Sequence, residues 1–243
     1  MTQKKSDGFR EIAKTVGYAI VIALVIRTFL FEPFRIPSGS MIPSLLIGDY
    51  LFVAKYSYGY SKYSLPLSPD LFSGRIMEST PKRGDVVVFR QPPHPEIDFV
   101  KRIVGLPGDH IQMKLGILYI NDVAVTRDKI DDYVDEQGEH YIQYIETLPN
   151  GVKHRIIEKS GDTGGLDNTD VYIVPPGHYF AMGDNRDDSS DSRVPEVVGY
   201  VPAENLVGRA EIIFFSTDGT AHWWEIWKWP FAVRYSRLFN LIQ

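Results

Sequence analysis

The chain of 243 residues contains no cysteine. Disulfides, thiolate nucleophiles and cysteine-ligated zinc sites are therefore excluded. Histidine is sparse: His94, His110, His140, His154, His178 and His222 are scattered, and none sits in a G-x-S-x-G elbow or another hydrolase motif. A histidine triad assembled in space stays open, because triads are defined by geometry rather than by spacing. Nor is there an excess of positive charge. With 26 Lys and Arg against 31 Asp and Glu, the net charge of −5 lacks the basic footprint of a nucleic-acid binder. There is no internal repeat or low-complexity tract, and 44% apolar with 23% charged residues excludes a disordered, coiled-coil or collagen-like chain. The length suits one globular unit or two small ones.

The average charge hides a division. Residues 1–35 carry six Lys and Arg against three Asp and Glu, net +3, and the remainder is net −8. One long apolar run, TVGYAIVIALVIRTFLF at 15–31, is interrupted only by Arg27. Its length is close to the lower limit for a membrane-spanning helix. Arg27 lies near the far end, where its guanidinium reaches the interface and escapes most of a burial cost of roughly 2.5–3.5 kcal/mol. The basic residues upstream place the N-terminus in the cytoplasm and everything after Phe34 across the membrane. A cleaved signal would end in small residues of A-x-A type, whereas FEPFRIPSGS offers bulky and charged ones. The run therefore reads as an uncleaved anchor in preference to a signal peptide or the core helix of a soluble protein.

Beyond the anchor, short apolar or alternating runs recur between turn signals at 50–54, 86–89, 99–104, 117–120, 171–174, 179–182 and 210–215. Their Val, Ile, Tyr and Phe content, bounded by Gly-Asp, Pro-Gly and Asn-Asp pairs, is that of strands. The fold class is mainly β, with longer irregular stretches at 57–84 and 128–170 forming extended hairpins or loops. All four tryptophans, Trp223, Trp224, Trp227 and Trp229, fall in one short stretch. Contact with a lipid interface and capping of the β core both fit such a cluster.

Three segments carry chemistry. In the first, Ile36 to Leu45, two prolines bracket Ser38-Gly39-Ser40, which predicts an extended chain with Ser38 and Ser40 on one face and Gly39 open to a close backbone approach. A serine needs a base to attack a carbonyl. The second segment, Asp98 to Asp109, offers one: with period two, Phe99, Lys101 and Ile103 share a face, so Lys101 is held among apolar side chains. Desolvation lowers an amine from its usual value near 10.4, and a fall of roughly two pH units leaves a useful free-base fraction. Arg102 is excluded as a base, since guanidinium keeps its proton. The third segment, Met182 to Arg193, is dense in acids, but no EF-hand frame fits: Ser192 replaces the required glycine when the frame begins at Asp187, and Arg186 occupies a ligand position when it begins at Asp184. It reads as a tight turn with Asp-Arg pairs and a spare serine hydroxyl, and no metal is expected.

These three segments in this order, behind an apolar helix, resemble the bacterial type I signal peptidases, also called leader peptidases. The resemblance runs from Phe34 to Arg209 and is densest in PSGSMIPSLLIGD, KRIVGLPGD and GDNRDDSSDSR followed by NLVGRA. It implies a Ser-Lys serine endopeptidase that removes signal peptides from exported preproteins, using no cofactor. By position, Ser40 matches the nucleophile and Lys101 the general base. Ser38, with the Ser40 backbone N–H, matches the oxyanion hole, and Ser189 matches the hydroxyl that orients the lysine. Arg102, Asp191 and Arg193 match a supporting charge cluster. Ile36, Pro37, Met41, Leu45, Phe99 and Val100 match the apolar lining of shallow substrate pockets. The implied partners are signal peptides and membrane phospholipids, with neither nucleic acid nor metal. The implied organisation is a cytoplasmic N-terminus at 1–14, one anchor at 15–31, an all-β catalytic domain from 32–109 and 178–243, and an inserted smaller β domain at 110–177. The implied location is the inner membrane, single-pass, with the catalytic domain on the periplasmic side. Ser44 stands where the family often has threonine, and one span stands where some members have two. A self-cleaving Ser-Lys repressor would need an N-terminal helix-turn-helix where this chain has its apolar run, and an inactive tethered β scaffold would be indifferent to changes at Ser40 or Lys101.

Overall fold

The computed structural model describes residues 3–222 and 224–242, with side chains from Phe9 onward, so Trp223 lies outside the described residues. Helix α1 (Gln3–Phe29) holds an apolar span, Phe9–Phe29, with a mean hydropathy of 1.7 and only 6% of its hydrophobic window buried. Val16, Ile20, Val21, Ile22, Leu24 and Val25 are all exposed. A helix that is apolar all round and covers no protein core is suited to lipid. The core-helix alternative is thereby set aside.

The helix ends two residues earlier than the apolar run. Phe31 already opens strand β1 (Phe31–Arg35), opposite Ala54 of β2 (Asp49–Ala54). Pro33 disfavours helix in the residue before it and removes an N–H donor, which an edge strand tolerates. The junction is tied to the sheet. Lys55 N–H donates to the Leu30 carbonyl at 2.9 Å, Tyr60 Oη donates to the Phe29 carbonyl at 2.9 Å, and Glu32 accepts from Arg27 at 2.8 Å and from the buried Lys55 at 2.7 Å. Arg27 thus has a carboxylate partner at the helix end.

Next come β3 (Val86–Arg90) and β4 (Asp98–Gly105). Eight further strands follow before the chain rejoins that sheet: β5 (His110–Lys114), β6 (Ile117–Ile120), β7 (Val123–Ala124), β8 (Thr126–Lys129), β9 (Tyr133–Val134), β10 (His140–Thr147), β11 (Lys153–Glu158) and β12 (Tyr172–Ile173). The chain returns with β13 (His178–Met182), β14 (Val201–Pro202) and β15 (Leu206–Ser216), and ends near the short helix α2 (Trp229–Ala232). A seven-stranded antiparallel sheet has the order β1-β2-β15-β3-β4-β13-β14. Strands β5 to β12 form two other sheets, β12-β5-β6-β7 and β11-β10-β8, with β9 also on β10.

Each of the seven apolar runs contains or overlaps a strand, and 128–170 contains the β10–β11 hairpin. One core beneath the large sheet gathers Ile36, Met41, Leu45, Leu51, Val53, Val86 and Val88. A second joins Ile111, Met113, Leu118 and Ile120 of β5 and β6 to Phe180 and Met182 of β13, so that part of the intervening chain shares its core with the large sheet. Trp224, Trp227 and Trp229 are exposed alongside Ile226 and Phe231, and so do not cap the β core.

Candidate active site

The link between β1 and β2 departs from the extended chain expected of its prolines. Residues 38–44 form bends and turns, closed by Ile42 N–H donating to the Gly39 carbonyl at 3.1 Å and Leu45 N–H to the Met41 carbonyl at 2.9 Å. Met41 and Leu45 are buried and pin the turn to the core. Ser38 is exposed and Ser40 is 9% exposed, and both line one cleft.

Lys101 lies mid-strand in β4, opposite Val87 of β3, and β4 is buried at every position from Lys101 onward because both of its faces are covered. Its side chain is 3% exposed, with Nζ 5.4 Å from the centre of the Phe99 ring. Nζ donates a hydrogen bond to Ser40 Oγ. Burial pulls its pKa down to about 8, more than the nearby Asp191 and Asp184 carboxylates restore, with Arg193 adding to the fall. Serine and amine meet at a cleft of about 290 Å³, lined by Phe34, Ile36, Pro37, Ser38, Ser40, Met41, Phe99, Val100 and Lys101, with Arg35 and Asp98 at the charged end. Leu45, expected among the lining residues, is absent from it; the turn from Met41 sends Leu45 into the core, where it is fully buried.

The segment after β13 closes the site from behind. Asn185 N–H donates to the Ser40 carbonyl at 3.1 Å and its side-chain amide to the Gly39 carbonyl at 3.2 Å. Within the chain, the glycine that a close approach requires is Gly183. A Cβ on Gly183 would fall 2.5 Å from the Ser40 carbonyl oxygen and 2.2 Å from Ser189 Oγ, whereas one on Gly39 would meet only side chains. Ser189 Oγ, expected to orient the lysine, is buried beside Gly183 without a hydrogen-bond partner among the described residues, and the lysine's hydrogen bond goes to Ser40.

The expected charge cluster is two separate pairs. Arg102 grips Asp184 through Nε at 2.9 Å and Nη2 at 2.7 Å, and Arg193 grips Asp191 at 2.9 Å through the same two nitrogens. Burial would raise both carboxyls, but the guanidiniums outweigh it and hold each below the usual carboxylate range. Ser44 Oγ donates to Asp184 at 2.5 Å, and Asp191 accepts from Gly183 N–H at 3.0 Å. Asp184, Asn185, Gly183 and Ser44 are thus parts of the site that spacing did not single out. Their signal was the GDNR run, whose acids resembled an ordinary turn. The histidines do not approach Ser40 by any hydrogen bond, and no group of three or more acid or histidine side chains suited to a metal occurs among the described residues.

Comparison with known proteins shows the family of the chain. Residues 9–215 match the family described as signal peptidase, peptidase S26. The chain is 43% identical to signal peptidase I of Rickettsia canadensis, over 93% of this chain and 91% of that one, and 43% identical to signal peptidase I of Rickettsia prowazekii, over 92% and 90%. A crystal structure of a signal peptidase I from Enterococcus faecalis is 25% identical, covering 54% of this chain and 97% of that chain, with a TM-score of 0.33.

Proposed function

This chain belongs to the signal peptidase family, peptidase S26, and we propose that it acts as a membrane-bound serine endopeptidase with Ser40 as nucleophile and Lys101 as general base. The observation that carries this reading is a buried amine, with its pKa brought to about 8, in hydrogen-bond contact with a serine hydroxyl at an apolar cleft. In the free-base form Lys101 takes the Ser40 proton as Oγ bonds to the scissile carbonyl carbon. The carbonyl oxygen becomes an oxyanion facing the Ser38 hydroxyl and the Ser40 N–H. Collapse breaks the C–N bond, and the Lys101 ammonium returns its proton to the departing amine of the mature chain. Lys101 then takes a proton from water as its oxygen bonds to the acyl carbon, and returns that proton to Ser40 Oγ as the ester C–O bond breaks. Arg102 with Asp184 and Arg193 with Asp191 hold the base's surroundings rigid.

Ile36, Pro37, Met41, Phe99 and Val100 give the cleft an apolar lining suited to small uncharged side chains next to the cleaved bond. The catalytic unit is assigned to 32–109 and 178–243, and 110–177 to an insertion. The basic flank of α1 favours a cytoplasmic N-terminus and a cleft on the far side of the membrane, where exported preproteins emerge. A groove of about 590 Å³ between α1 and the sheet, lined by Ala23, Ile26, Phe31, Pro33, Phe52 and Ile212, together with the exposed Trp224, Trp227 and Trp229, is suited to phospholipid. The test is cleavage of a purified preprotein in detergent micelles by the wild type, Ser40→Ala and Lys101→Met, each verified as folded. Both variants are expected to lose at least roughly 10³-fold in kcat. Wild-type cleavage by Lys101→Met would rule out the dyad.

A further inference from the structure

The segment that backs Ser40 is held on its other side by the β10–β11 hairpin. Ile157, near the end of β11, donates its N–H to the Asp184 carbonyl at 3.0 Å and accepts from Arg186 N–H at 3.0 Å, so Ile157 of the hairpin and Asn185 meet in an isolated parallel bridge. Side chains repeat the clamp. Arg186, 1% exposed, forms a two-pronged pair with Glu146 of β10, Nη1 to Oε1 at 2.8 Å and Nη2 to Oε2 at 2.6 Å. Glu146 lies opposite His154 of β11, whose Nε2 is 3.3 Å from Glu146 Oε2 and 3.9 Å from Asp184 Oδ1. The Arg186 carbonyl accepts from Arg193 Nη2 at 2.7 Å, which joins this pair to Asp191.

Three buried carboxylates, Glu146, Asp184 and Asp191, therefore face three buried guanidiniums, Arg186, Arg102 and Arg193. These six charges sum to zero, and Lys101 neutral is the form that accepts a proton. In so dry a setting an unbalanced charge is felt at a distance.

We propose that Glu146 and Arg186 are positioning residues for the dyad: the inserted hairpin fixes the Gly183 to Arg193 segment against the Ser40 carbonyl, and its charge balance sets where Lys101 gives up its proton. This rests on the reading of Ser40 and Lys101 as the dyad. The charged groups facing Lys101 are Asp184, Asp191, Asp188 and Arg193. Those facing the Glu146–Arg186 pair are His154, Asp184 and Glu158, the last at the end of β11 beside Arg127. Burial alone would raise the Glu146 carboxyl, but Arg186 and His154 hold it well below the usual carboxylate range, so it is ionised throughout the working pH span.

Opposite signs are the signature. Glu146→Gln leaves Arg186 unbalanced, adds positive charge and moves the alkaline limb of kcat/KM to lower pH by roughly half a unit. Arg186→Gln leaves Glu146 with His154 as its remaining partner and moves the limb to higher pH, by a smaller amount because burial draws the carboxyl toward its neutral form. The double variant restores the balance and returns the limb to its wild-type position. The assay is cleavage of a purified preprotein with an Ala-x-Ala site in detergent micelles from pH 6 to 10, using the full chain, with folding followed by near-ultraviolet circular dichroism. Limbs that move the same way in both folded single variants, or stay in place, would overturn the proposal. If the Gln variants do not fold, Glu146→Asp and Arg186→Lys keep the charges and loosen the geometry. The expectation is then an unmoved limb with kcat lowered about tenfold or more, and wild-type kcat in both would overturn it. Ser40→Ala is the control: wild-type cleavage by that variant defeats the dyad reading itself, whereas an inactive Ser40→Ala with unmoved limbs defeats only the role of the hairpin.

Discussion

Replacing Lys101 by Met should abolish cleavage and at the same time stabilise the fold at neutral pH. Burial brings the Lys101 pKa from 10.5 to about 8. At 1.36 kcal/mol per pH unit, holding the ammonium in the folded protein costs about 3 kcal/mol below pH 8. A folded-state pKa below the unfolded one means that the unfolded chain binds more protons between these two values. Stability therefore rises with pH across that window, and the cost is full below it. Methionine has a similar stem and no charge, so it removes the cost, but it also forfeits the hydrogen bond to Ser40, worth about 1 kcal/mol. The net gain at pH 7 is about 2 kcal/mol, or a rise in Tm of roughly 4–8 °C for a chain of this size. By pH 10 the wild-type amine is already free in the folded state, and the remaining ionisation cost falls below about 1 kcal/mol, close to the value of the hydrogen bond. The assay is urea or thermal unfolding of the full chain and of Lys101→Met in the same detergent at pH 7 and pH 10. A variant less stable than the wild type at pH 7, or an advantage of equal size at both pH values, would refute the desolvation argument.

Other expectations follow from the same geometry. The wild-type kcat/KM should rise through pH 8 and reach at pH 7 about a tenth of its alkaline plateau, as a pH–rate profile will show. Ser38→Ala should lower kcat by about 10²–10³ while leaving thermal unfolding close to wild type, since its side chain is exposed and faces the cleft. Gly183→Ala should lower kcat roughly 10²-fold, because the added methyl displaces the Ser40 carbonyl, 2.5 Å from its position. Trp224, Trp227 and Trp229 should show a blue shift in fluorescence when phospholipid vesicles are added to the detergent-solubilised chain; substituting them by Ser and seeing the same shift would assign it elsewhere.

The anchor and most of the large sheet were legible because their signals are local. A long apolar run needs no partner to be recognised, and alternation such as Leu51 and Val53 inward with Tyr50 and Phe52 half-buried follows from the pleat alone. The depressed Lys101 pKa was legible for the same reason, since flanking apolar residues on one strand already imply a dry amine. Turn geometry was not. The prolines around Ser38 and Ser40 argue for extension one residue at a time, but the chain here is folded by Met41 and Leu45 reaching the core and by Asn185, which is 145 positions away from Ser40 and carries the carbonyls of Gly39 and Ser40. No periodicity records such a contact.

Which charges pair was not legible either, for a related reason. Arg102, Asp191 and Arg193 stand out as charges near motifs, yet which guanidinium meets which carboxylate depends on strand register: Met182 opposite Arg102 sets Asp184 beside its guanidinium and leaves Asp191 to Arg193. Glu146 was harder still, lying in a stretch whose acids look like a solvated surface. Its neighbours on β10 are half-buried, and the carboxylate is met by His154 across the hairpin and by the matching fork of Arg186, which arrives from the segment after β13. Breaking one side of such a pair costs about 3–5 kcal/mol, so the hairpin and the Gly183 to Arg193 segment are energetically one object, although the chain order separates them. Strands β5, β6 and β10 thus share a hydrophobic core with β13 or a buried ion pair with the segment after it, so the surroundings of the Ser40 carbonyl extend to residues well outside the three motif segments.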